Sequence, residues 1–111
     1  MIPNGIYFLS RKIKSINKTV KAQMLVEDGN FILKKGSIVT PCEKYKITSW
    51  LQIRQGLKLN ANSELLEDIE CSSPSMAAAL AIGQNANGWT SWRNNKNQVI
   101  DIYRKRDIEE D

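Results

Sequence analysis

Three hydroxyls crowd together at Ser72, Ser73 and Ser75, and two indoles follow at Trp89 and Trp92. Ser73 can cap a helix that Pro74 opens and Gly83 ends, so the hydroxyls gather around one helix N-terminus. Backbone amides there carry partial positive charge and can accept a phosphate or another anion. Asn87 and Gly88 form a tight turn that brings Trp89 nearby, and an indole face can stack on a base. The chemistry offered is recognition of an anion and a ring, and bond breaking is not implied. There is no histidine, which removes the commonest general base and every Ser-His or Cys-His nucleophile. Cys42 and Cys71 lie far apart with no CxxC or Cys/His spacing, so neither a metal nor another cofactor is expected. Each of these residues also has a structural explanation. A single serine suffices as a cap, Asn87-Gly88 is a turn, and tryptophans commonly fill cores.

Charge points the same way. Residues 1–60 hold eleven Lys/Arg against three acids, a balance of +8, whereas residues 61–111 carry −4. The basic half is the candidate polyanion surface, with Lys34, Lys35 and Arg54, joined by Arg93 from the other half, as candidate phosphate contacts. The acidic tail at 107–111 is expected to fray. No apolar run approaches a membrane span and the N-terminus lacks a secretory pattern, so a cytoplasmic domain spanning 1–106 is expected.

The elements that must position these groups read as α+β. Residues 5–11 are strand-like, and Val20, Ala22, Met24 and Val26 alternate as a half-buried strand does. Asp28-Gly29-Asn30 turns the chain into a return strand at Phe31-Ile32-Leu33, and Gly36-Ser37 reads as a bulge before Ile38-Val39. Ile47, Trp50, Leu51 and Leu57 recur at helical spacing, predicting a helix over 43–55 that covers one sheet face, with Gly56 as its stop. A loop over 58–64, an extended piece over 65–71, a helix over 74–82, a turn at Asn94-Asn95-Lys96-Asn97 and a last strand over 99–103 complete the reading. The fold class is a mainly antiparallel sheet, an N-terminal meander plus a C-terminal hairpin, packed with two short helices.

The run from Asp28 through Lys34-Lys35-Gly36-Ser37, then Cys71-Ser72-Ser73-Pro74-Ser75-Met76-Ala77-Ala78, Gly83 and Asn87-Gly88-Trp89-Thr90-Ser91-Trp92, resembles an uncharacterised small domain. That domain is often appended to the C-terminus of GIY-YIG nucleases and of restriction-modification proteins, and it is similar to the RAMA (restriction enzyme adenine methylase associated) domain. The resemblance covers about 6–100. Cys71 departs from it where a large apolar residue is expected, as does Arg93 where lysine is expected. The Gly5-Ile6-Tyr7 triplet is not followed by Tyr-Ile-Gly at short spacing and reads as coincidence. The resemblance implies a non-catalytic DNA-binding accessory module, reading modified DNA in a restriction-modification or phage-defence setting. The alternative is a module that docks a nuclease or methyltransferase partner, with the tryptophans as its hot spot.

Overall fold

The computed structural model describes residues 2–14, 17–39, 53, 56–83 and 86–103. Of the predicted helix over 43–55 the described residues include Ile53, which is helical; the rest of that helix, the tail at 107–111, Cys42 and the candidate Arg54 lie outside them. Four strands form one antiparallel sheet in the order β1 (Gly5–Ile13), β2 (Lys18–Glu27), β3 (Asn30–Leu33) and β4 (Ile69–Cys71). Among the described residues two helices follow, α1 (Pro74–Ile82) and α2 (Gly88–Ser91). The expected α+β class with an antiparallel sheet is the one observed.

The β2–β3 hairpin forms where Asp28 (φ 51°) and Gly29 (φ 82°) both adopt left-handed backbone, the requirement of a tight turn whose twist suits two strands. Side chains alternate in burial, with the exposed Arg11 as the exception in β1. Tyr7, Leu9, Val20, Ala22, Met24 and Val26 point into the core, while Ile6, Phe8, Lys21 and Gln23 point out. On the inner face lies α1, packed across β2, β3 and β4. Its residues from Met76 to Ile82 are all buried, and four alanines among them let backbone approach closely on several sides. Ser73 caps it by accepting from the Met76 N–H at 3.1 Å, and Gly83 at φ 84° ends it with a bond to Ala79.

The Gly36-Ser37 step is a bulge. Met24 faces Leu33, yet Lys21 faces Ile38, so the return side uses two more residues than β2 does. Gly36 turns at φ 93°, and the buried Ser37 hydroxyl accepts the Gln23 N–H at 3.0 Å in place of a ladder carbonyl. Pairing then resumes through reciprocal bonds between Lys21 and Ile38.

The expected strand over 99–103 is corrected by the structure. Only Val99 pairs, with Arg93, closing a hairpin around the Asn94 turn. Ile102 and Tyr103 then donate to Val99 and Ile100, the spacing of a helical turn, because Ile100 fills the core and Tyr103 packs edge-on against Tyr7 at 6.4 Å. The extended piece expected over 65–71 narrows to Ile69–Cys71, with Leu65 joined by an isolated bridge to Leu59 and the preceding Glu64 by another to Ile38. Among the described residues no helix is long and apolar enough to cross a membrane.

Candidate nucleic-acid interface

The serine-rich helix end is a packing junction. Ser73 is the cap, and Ser75 Oγ accepts the Gly88 N–H at 3.0 Å. Ser72 is exposed, its hydroxyl and amide directed to the Met76 sulfur. Trp92 is fully buried and its indole N–H donates to the Pro74 carbonyl at 3.0 Å. A Cβ on Gly88 would stand 2.3 Å from Pro74 C and Ser75 N, so α2 lies with its backbone directly against the start of α1. Of the first amides of α1, Pro74 has none, Met76 donates to Ser73 Oγ and Ala77 to Ser73 O. The end that the sequence offers to an anion is thus occupied by α2 and by its own cap. Asn87 in turn caps α2 by accepting the Trp89 N–H, and Trp89 is half-buried against the core.

The basic candidates lie elsewhere. Leu33 faces Ile69 and Phe31 faces Cys71, so Lys34 and Lys35 sit at one end of the β3–β4 ladder and Ser72 at the other, about 10 Å of strand away. Lys34 pairs with Asp68 at 3.0 Å, and Asp68 also accepts the Lys35 N–H at 2.8 Å. These two bonds, the backbone one foremost, hold the Asp68 carboxyl below its usual range. Being exposed, the ion pair restrains Lys34 only weakly.

Cross-strand register gathers a different set. Arg93 exchanges backbone bonds of 2.8 Å with Phe8, Phe8 faces Gln23, and the Lys34 N–H bonds to the Gln23 carbonyl at 2.9 Å. Opposed residues of an antiparallel ladder project to the same side. The outer face therefore carries a row of Arg93, Phe8, Gln23 and Lys34, with Lys21 on the next row. Phe8 is 41% exposed and Ile6 beside it 38%. On one side of Phe8 is a hollow of about 460 Å³ lined by Ser10, Lys21, Gln23, Lys35 and Ile38, whose wall is the bulge. On the other is one of about 470 Å³ lined by Ser10, Arg93 and Asn95 with the turn. Asn94 fixes that turn by accepting from the amides of Lys96 and Gln98, and Arg93 donates to the Asn97 carbonyl at 2.9 Å.

Of the sequence candidates, then, Arg93, Lys34 and Lys35 come together on the sheet, while Ser73, Ser75, Asn87, Gly88 and Trp89 build the helix junction and Ser72 lies at its rim. Phe8, Lys21 and Gln23 complete the sheet face and were not among the candidates. The signal for Phe8 was available, since it is an aromatic on the strand face opposite Tyr7 and Leu9. On the same face the β1–β2 hairpin adds Lys12, opposite Thr19, against Glu27 at the far end of β2, whereas Arg11 and Lys18 oppose the buried Val20 and Ile13 and belong to the inner side.

The family model of a domain of unknown function, DUF4357, matches residues 12–104, and the chain belongs to that family. No curated protein and no solved structure matches the chain.

Proposed function

We propose that this DUF4357 domain is a cytoplasmic, non-catalytic DNA-binding accessory module, bound through the outer face of its sheet. It works beside a nuclease or methyltransferase in restriction-modification or phage defence, as the resemblance to the RAMA domain implies, and methylated DNA is among its candidate ligands. The observation that carries the reading is the exposed ring of Phe8 set between cations, with Arg93 on one side and Lys21 and Lys35 on the other. Cations neutralise phosphates, and the ring supplies a stacking surface for a base. The docking alternative needs the tryptophans as surface anchors, whereas Trp92 is buried in the core and Trp89 is half-buried against it.

Fluorescence anisotropy of a labelled forked DNA, with both paired and unpaired arms, tests the reading. Affinity is expected to fall about a hundredfold between roughly 50 and 200 mM salt if about four phosphates are contacted. Lys21→Ala and Lys35→Ala are expected to weaken binding and flatten that salt dependence. Repeating the titration with methylated arms shows whether modification is read. A fork that fails to bind in either form at low salt removes the proposal.

A further inference from the structure

We infer that the form of DNA this face takes is a single strand, one unpaired base lying on Phe8 and the flanking phosphates meeting Lys21 and Lys35 on one side and Arg93 on the other. The inference rests on the DNA-binding reading and specifies its ligand. Three observations carry it.

Phe8 presents its ring to solvent and lines both hollows, so a base placed on it has a polar recess on each side. Bases within a duplex have their faces stacked on one another, and an unpaired base alone has a face to offer. Each hollow exceeds the roughly 300 Å³ at which pockets begin to take a small ligand, and each pairs a cation with an exposed amide, Gln23 in one and Asn95 in the other. The amides can hydrogen-bond base edges, and the cations line the hollows on either side of the ring, where the phosphates flanking a stacked base would lie.

The shape of the face argues in the same direction. Arg93, β1, β2, β3 and β4 stand side by side, about 19 Å across at ordinary strand spacing, wider than the roughly 12 Å major groove that admits a helix or a two-stranded ribbon. A broad sheet with an exposed aromatic suits a strand laid across it. Charge fits as well, because Lys12, Lys21, Lys35 and Arg93 are exposed on this face against Glu27, Asp68 and Glu70, and Asp68 is already engaged by Lys34 at the β4 side.

The test is a set of anisotropy titrations of the full chain with a labelled mixed-sequence DNA of about twelve nucleotides, its duplex, and the RNA strand of the same sequence. Single-stranded DNA is expected to bind at least about tenfold tighter than the duplex. Phe8→Ala should lose about tenfold or more for the single strand, and Phe8→Trp should restore it. Because Phe8 is exposed, the alanine variant is expected to melt with the parent, and Lys21→Gln gives an independent readout by lowering the salt slope by about 0.7. Duplex binding as tight as the single strand, or RNA bound tenfold tighter than DNA, overturns the inference. So does an unchanged affinity in Phe8→Ala or an unchanged slope in Lys21→Gln. In those outcomes nucleic acid still binds, whereas failure of the DNA reading itself appears as no binding of strand or duplex at low salt.

Discussion

Trp92 and Gly88 hold the end of α1 by opposite means, one by bulk and the other by its absence. The indole fills the core at full burial and satisfies the Pro74 carbonyl, a group that side-chain truncation would leave without this partner. Trp92→Ala is expected to cost about 3–5 kcal/mol, measured by urea denaturation. Trp92→Phe keeps most of the apolar volume but drops the N–H donor, so its loss should be smaller. Gly88→Ala adds one methyl, yet it meets backbone atoms at 2.3 Å that have no rotamer to escape by. A loss of about 3 kcal/mol is expected, with the same denaturation as the check. A Gly88→Ala variant as stable as the parent would mean that α2 can retreat from α1 without cost. These two residues also explain the serines. A hydroxyl at a helix start serves a ligand or a neighbouring backbone equally well, and the choice depends on whether something like Gly88 is packed there.

Among the elements, α1 and the β2–β3 hairpin were legible because their signals are local. Ser73, Pro74 and Gly83 mark one helix, and Asp28-Gly29 with flanking alternation marks one turn. The row of Arg93, Phe8, Gln23 and Lys34 was not legible, since it depends on a bridge between β1 and a segment some 85 residues onward. It depends also on the register step at the bulge. Residues 99–103 misled for a related reason, as the alternation read over Val99–Tyr103 suits a strand, whereas Tyr103 packs on Tyr7 from a helical turn. The bulge itself is testable. Ser37→Ala removes the buried hydroxyl that accepts the part-buried Gln23 N–H and is expected to cost about 1–2 kcal/mol. Hydrogen exchange at Gln23 should quicken relative to Val26, and an unaltered Gln23 amide would show that the hydroxyl is not what closes the gap.

For the whole molecule, burial and pairing set the pH range in which the fold is strongest. Burial chiefly, with Tyr103 beside it, pushes the Tyr7 phenol from 10.0 up to about 12, and burial pushes the Cys71 thiol from 9.0 up to about 11. Both groups are held neutral by the fold, so their stabilising contributions are complete below the unfolded values and disappear as pH rises through the folded ones. Asp68 has the opposite sign. Its depressed pKa gives a contribution present above about pH 4 and lost as pH falls through the folded value, and exposure keeps that contribution small. Stability should therefore decline on the alkaline side from about pH 9, with a shallower acid-side change below about pH 4. Urea midpoints measured across that range check the profile. Cys71→Ala should remove the part of the decline between 9 and 11, and Tyr7→Phe the part that lies higher, because each variant deletes one group that ionises more easily unfolded than folded. A Cys71→Ala profile that runs parallel to the parent's through that interval would show that the thiol gains access to water without unfolding, and that the β3–β4 edge of the sheet opens on its own.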